Sequence, residues 1–256
     1  MRRTLAMSIL STVVLAGISV GAVPASASPT TAVTQAAAVG APFGSLDLGE
    51  YVPGGIGVKG WVAFKGSPQK SLKVHIKLDG KLLTGLSANQ PRPDVAKKYP
   101  GVTTNTGFSS FLPTKLAAGT HTVCAFAIKP AGAPGGNPNI GCRSFTTGDS
   151  PIGTFAASAL REKSFHVVGS VGDPNTVRAI KVKVTLDGKV QNTVTANKKS
   201  FVYEEKGKKT TVSAYGHGFD LALKLPSGGK AHQLCVTAIN ATSTPGGNVT
   251  GCISVK

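Results

Sequence analysis

One stretch of this chain is written twice. Residues 44–81, GSLDLGEYVPGGIGVKGWVAFKGSPQKSLKVHIKLDGK, align with residues 153–189, GTFAASALREKSFHVVGSVGDPNTVRAIKVKVTLDGK, at a single one-residue gap. Gly60 falls on Gly169, Gly107-Phe108 on Gly218-Phe219, Cys124 on Cys235 and Cys142 on Cys252. Gly44 to Gly153 is a period of 109 residues, the size of a domain and too long for a solenoid unit. The repeat therefore predicts two separately cored domains of one fold.

What that fold is follows from the hydropathy pattern. Apolar and polar residues alternate in Leu72-Lys73-Val74-His75-Ile76-Lys77-Leu78, and again in Ile180-Lys181-Val182-Lys183-Val184-Thr185-Leu186. Period two with β-branched residues means half-buried strands. Asp79-Gly80 and Asp187-Gly188 each precede more strand, as in a hairpin turn whose two central residues need positive φ. Helical periodicity is nearly absent. Many short strands punctuated by Gly and Pro predict an all-β chain of two tandem β-sandwiches.

The cysteines agree. Cys124 and Cys142 lie in apolar segments joined by PAGAPGGNPN, and Cys235 and Cys252 flank STPGGN. Each pair reads as a hairpin with one Cys per strand. Four cysteines allow three pairings, and the repeat selects Cys124–Cys142 and Cys235–Cys252. Zinc ligation would need the paired close spacing that this chain lacks.

Ahead of the repeat, Arg2-Arg3 is followed by an apolar run from Ile9 to Val23 and by Pro24-Ala25-Ser26-Ala27. A basic start, a short apolar core and a small-x-small end predict a secretory signal peptide over 1–27, cut after Ala27. Gly17, Ser19, Gly21 and Pro24 argue against a retained membrane anchor. Residues 28–43, rich in Ala, Thr and Pro, read as a linker. The domains are then 44–149 and 150–256, and export makes disulfides chemically reasonable.

The formal charge is +17, or +15 once Arg2 and Arg3 are removed. It divides almost evenly, +7 over residues 44–149 and +8 over 150–256. A basic exported protein adheres to polyanions. The expected partner is an anionic cell-wall polymer or other polysaccharide, with no specific nucleic acid and no integral membrane segment.

Gly60-Trp61, Asp79-Gly80, Arg92-Pro93-Asp94-Val95-Ala96, Tyr99-Pro100, Gly107-Phe108, Gly119/His121/Val123-Cys124 and Gly141-Cys142 form a recognisable series. In these motifs the chain resembles the Ig-like repeat domain of secreted actinobacterial proteins, often appended to cell-wall hydrolases. The likeness is close over 44–147. It is looser over 153–256, where Ser170 stands for the Trp and the RPDV run is missing. It implies the sandwich fold, secretion and the company of wall enzymes, and no particular chemistry.

The copies differ most in one insert. In the first, Arg92, Asp94 and Tyr99 belong to a predicted helical turn capped by Asp94 and ended by Pro100. Val95 and Tyr99 share its face and would close an open end of the sandwich; the competing reading makes Arg92, Asp94 and Tyr99 a sugar site. The second copy replaces this plug with Lys198, Lys199, Lys206, Lys208 and Lys209 around Phe201 and Tyr203, with Glu204 and Glu205 between. Lysines beside aromatics suit an anionic sugar polymer, so this segment is the first candidate ligand surface. The plain alternative is a solvated loop with Phe201 and Tyr203 turned inward. Trp61 is expected to be buried.

Catalytic signatures are missing. No two of the five histidines stand at metal-ligand spacing, and there is no nucleophile elbow, phosphate loop or HExxH. Carboxylates are few for a glycosidase pair. No catalytic residue, metal or cofactor is implied. The reading is a secreted, non-catalytic binding module. The alternatives are a structural or adhesive protein that binds another protein and, with least support, a hydrolase.

Overall fold

The computed structural model describes residues 13–15, 40–65, 71–159, 164–205, 208–224, 226 and 230–255. The expected leader and linker lie outside them, apart from a short strand at 13–15 and the residues from Gly40 onward. In chain order the elements are β1 (Val13–Leu15), β2 (Phe43–Val52), β3 (Gly55–Ala63), β4 (Leu72–Leu78), β5 (Lys81–Ala88), β6 (Gln90–Pro91), α1 (Pro93–Lys98), β7 (Asn105–Pro113), β8 (Gly119–Ile128) and β9 (Asn139–Thr147). The second copy supplies β10 (Ile152–Ala159), β11 (Ser164–Gly172), β12 (Lys181–Leu186), β13 (Lys189–Thr195), β14 (Lys198–Glu205), β15 (Lys208–Lys224), β16 (His232–Ala238) and β17 (Val249–Val255).

Each copy is a two-sheet sandwich. The first packs β2-β3-β7-β6 against β5-β4-β8-β9, and the second packs β10-β11-β15-β14 against β13-β12-β16-β17. All ladders are antiparallel, and β1 adds to the free edge of β10, Val14 opposite Thr154. Lettered along the chain, the order is A-B-E-D over C′-C-F-G, the constant-type immunoglobulin arrangement with one added strand.

The alternating residues behave as their period requires. Val74 and Ile76 are fully buried with Ile56, Val58, Phe108, Val123 and Ala125; Val182 and Val184 join Phe155, Val167, Phe219, Leu234 and Val236. Gly60 opposes Phe108 across the ladder, and Gly169 opposes Phe219. A Cβ on Gly60 would fall 2.6 Å from the Phe108 ring, and on Gly169 2.7 Å from that of Phe219. Each Gly-x…Gly-Phe pair is thus a lock between a missing side chain and a large one. At the hairpins, Asp79 and Gly80 have φ of 48° and 79°, and Asp187 and Gly188 48° and 76°, as a turn with two left-handed residues demands.

Both bridges form as expected, Cys124–Cys142 and Cys235–Cys252. Each joins directly opposed residues of neighbouring strands. They lie within one sheet, between F and G, rather than across the core as in antibody domains.

Three expectations are corrected. Trp61 is half-buried. Its strand neighbours Val58, Gly60 and Val62 face the core, which leaves Trp61 on the outer face with Lys59, in the sheet that lacks the disulfide. The helical turn exists at Pro93–Lys98, but its N-cap is Arg92, and Asp94 lies inside the first turn. Finally, the described residues of the second copy's lysine segment, 198–205 and 208–209, lie in two paired strands, Phe201 opposite Val212 and Tyr203 opposite Thr210.

The two sandwiches meet along one seam. The Leu116 amide donates to the Pro174 carbonyl at 2.8 Å. Phe111 stacks on Tyr215 with ring centres 4.4 Å apart and planes 10° from parallel. Gly54, at φ 87°, lies so close to the His217 ring that a Cβ there would fall 1.9 Å from His217 Nε2. The seam is backed by Asp173, fully buried, which accepts from the Asn175 and Ala241 amides and the Thr244 hydroxyl.

Candidate functional site

The first insert covers the outer face of sheet β2-β3-β7-β6. Tyr99 packs on Trp61 at 5.4 Å and on Phe43 at 5.2 Å, while Phe43 meets Trp61 edge-on at 5.8 Å. Val95, one turn before Tyr99, is buried, and the Tyr99 amide closes the helix on the Val95 carbonyl. Arg92 lies over Gly107, whose missing side chain makes room for it. Its fork donates to both Asp94 oxygens, at 2.8 and 2.7 Å, and to Asp47 at 3.0 Å.

Hydrogen bonding to Arg92 holds the Asp94 carboxyl down at about 2, and Asp94 first, then Asp47, raises the Arg92 pKa. The structure therefore brings Arg92, Asp94 and Tyr99 together but engages them with one another. The plug sits on the sheet face, not at an open end. Asp47, in the bulge between Leu46 and Leu48, and Phe43 are partners that the sequence reading missed. Lys97 and Lys98 remain exposed, with the Lys98 ammonium 5.4 Å from the Tyr99 ring centre.

The second insert does the same job with different material. β14 pairs with β15 as Gln90 pairs with Gly107 in the first copy: Lys198 stands opposite Gly218. The ribbon then folds onto the outer face of its sheet, where Phe201, 8% exposed, packs with Ala156, Val168 and Ala214. Phe201 replaces Tyr99 as the covering aromatic. It is turned inward and is unavailable to a ligand.

Lys198 is 3.6 Å from Asp220, which also binds His166 at 2.6 Å. Glu204 and Glu205 stand opposite Lys209 and Lys208 in the ladder. Five lysines less two glutamates leave the segment 198–209 at +3. Lys206 and the side chains of Tyr203 and Lys208 lie outside the described residues.

The repeat-equivalent histidines are structural. His121 Nδ1 lies 2.8 Å from Asp79 Oδ2, and His232 Nδ1 2.6 Å from Asp187 Oδ2. Each Asp also accepts the next amide, that of Thr122 or Gln233, at 2.8 Å. The turn Asp thus ties hairpin β4–β5 or β12–β13 to the neighbouring strand. The Ala117 carbonyl and then Asp79 raise the His121 pKa, while His121 and the Thr122 amide lower that of Asp79. Asp187 is lowered in the same way by His232 and the Gln233 amide.

His217 is different. It is buried at the seam, its Nδ1 has no hydrogen-bond partner among the described residues, and burial lowers its pKa against a bond to the Val171 backbone. No cluster of three or more His, Cys, Asp or Glu able to hold a metal occurs among the described residues, and none of their helices is long and apolar enough to cross a membrane.

No family profile and no curated protein matches the chain. Among solved structures it superposes on a two-domain fibronectin type-III segment of chicken tenascin at 14% identity and TM-score 0.24, over 83% of this chain and 99% of that one. It also superposes on the chicken interferon gamma receptor alpha chain at 11% and 0.26, over 78% and 92%. A Parabacteroides merdae β-glucuronidase aligns at 11% and 0.23 over 80% of this chain, which spans only 23% of that enzyme's length. These superpositions are loose, and the fold described above stands on its own strand order.

Proposed function

We propose that the chain is an exported, non-catalytic binding module that adheres to anionic polysaccharide of the cell wall, and that it belongs with the Ig-like repeats of secreted actinobacterial proteins. The observation that carries this is the cationic excess, +15 without the leader arginines, displayed on two rigid sandwiches. β14, the outermost strand of its sheet, offers Lys198 and Lys199 on a framework rather than on a loop. Fixed cations lose less entropy on meeting a polymer than mobile ones. Two disulfides and a leader-like start support an oxidising, extracellular setting.

Cation focus differs less between the domains than the lysine count suggests. Arg92, Lys97 and Lys98 less Asp47 and Asp94 leave the first segment at +1, and the five lysines less Glu204, Glu205 and Asp220 leave the second at +2. The test is retention on purified cell wall at low and high salt. The parent should bind at low salt and be released as salt screens the charges. Replacing Lys198, Lys199, Lys206, Lys208 and Lys209 with Gln should weaken retention several-fold without unfolding. Salt-independent retention, or full retention by the Gln variant, defeats the assignment to this ribbon.

A further inference from the structure

Between Lys198↔Gly218 and Ser200↔Ser213 the β14–β15 ladder slips, so that Lys199 alone faces the four residues Ala214–His217. At the crest of this bulge sits Tyr215. Its φ is 48°, a region that bulky residues rarely occupy. The residue is 49% exposed yet its ring is held in orientation, because one face lies flat on Phe111 of the other domain. The aligned position in the first domain is Thr104.

The surroundings are polar and mixed. Gly57 pairs with Phe111 and with Glu50, and Lys59 pairs with Ser109 one step along the same outer face; Glu50 and Lys59 are exposed. A backbone outlier that presents an aromatic is a reason to look for a ligand. An aromatic face with its back supported, with Lys199 across the bulge and Lys59 and Glu50 on the strands beside Phe111, matches the apolar C–H face of a sugar ring carrying hydroxyl and acid groups.

We infer that Tyr215, braced by Phe111 across the domain seam, is a stacking platform for a pyranose ring of an acidic polysaccharide, with Lys199 and Lys59 taking its acid groups and Glu50 its hydroxyls. This rests on the adhesion reading above and adds to it a requirement for a sugar ring.

Two polymers separate the ideas: polygalacturonate, an acidic sugar chain, and polyglutamate, a polyanion without rings. The full chain should bind polygalacturonate more tightly than polyglutamate at equal charge, and keep part of that binding in high salt. Tyr215→Asn removes the ring while leaving a residue at ease with positive φ. It should lose polygalacturonate affinity about ten-fold, the order of a stacked ring, with polyglutamate binding unchanged and the melting temperature lowered only by the small share of the lost Phe111 stack. Tyr215→Phe should bind as the parent does.

If Tyr215→Asn binds polygalacturonate like the parent, the platform is refuted and adhesion stands. If it loses both polymers equally, Tyr215 acts through the seam or the general charge, and the platform is again refuted. A parent that binds neither polymer refutes the adhesion reading itself.

Discussion

Each sandwich carries one bridge over a similar loop, with sequence separations of 18 for Cys124–Cys142 and 17 for Cys235–Cys252. Loop-closure entropy at that length is worth about 3 kcal/mol, and the two bridges should be worth nearly the same because the term grows only logarithmically. Trp61 is the only tryptophan and lies in the first domain, so its fluorescence reports that domain alone. The perturbation is Cys124→Ser with Cys142→Ser, compared with Cys235→Ser and Cys252→Ser, in urea. At a slope of about 1–3 kcal/mol per molar for a small domain, the first variant should lower the Trp61 midpoint by about 1–3 M. The second should move it by much less. Its influence passes only through the seam, where one backbone hydrogen bond and one stacked pair contribute about 1–2 kcal/mol together. Far-UV circular dichroism should show the complementary loss in the second domain. A first-variant loss under about 1 kcal/mol would refute the entropy reasoning. Equal Trp61 shifts from both variants would refute two separate cores.

The pH response should have two limbs. Asp79 and Asp187 have depressed pKa values, so their contribution is present above 3.8 and fades as pH falls through the depressed value; His121 has a raised one, so its share is present below 6.5 and fades as pH rises through it. Through Asp79 and His121 the Trp61 midpoint should therefore peak between about 4 and 6.5, and His121→Gln should flatten the upper limb; an unchanged profile in that variant would refute the pairing. His217 runs the other way: buried and lowered from 6.5, it holds the seam above that pH, and acidification should widen the interdomain distance in small-angle scattering, whereas His217→Phe should not respond. Gly54→Ala should cost about 1–3 kcal/mol in urea unfolding through positive φ and overpacking, and the double variant with His217→Ala should recover the overpacking share while the backbone share remains; no recovery would show that the two do not touch. Tyr99→Ala should raise iodide quenching of Trp61 and shift its emission to the red, and unchanged quenching would show that Tyr99 does not cover the ring.

Much of the fold is legible in the residues because alternation, Asp-Gly turns and paired cysteines are local signals that packing reinforces. The outward position of Trp61 was legible too. Lys59, two residues before it on a period-two strand, already marks that face as the outer one. The role of the inserts was not. A helical turn with Tyr99 and a strand ribbon with Phe201 share no sequence pattern, yet both lay one aromatic on the outer face of the same sheet. A run of lysines masks the ribbon, because its pairing depends on partners some ten residues away. Tyr215 and His217 were hidden for a similar reason: a bulge is a property of two strands in register, and neither strand alone announces it.

β9 and β17 each lie outermost in their sheets, and an outermost strand is the one that peels when a tethered molecule is dragged. Peeling breaks the ladder one pair at a time and needs little force at any moment. The staples at Cys142 and Cys252 stop that progression within the strand. The load must then be borne by several rungs at once, in shear, and the stretch of chain sealed behind each staple cannot be drawn out. In any chain pulled from its ends, these bridges would act as ratchets against unravelling as well as reservoirs of stability.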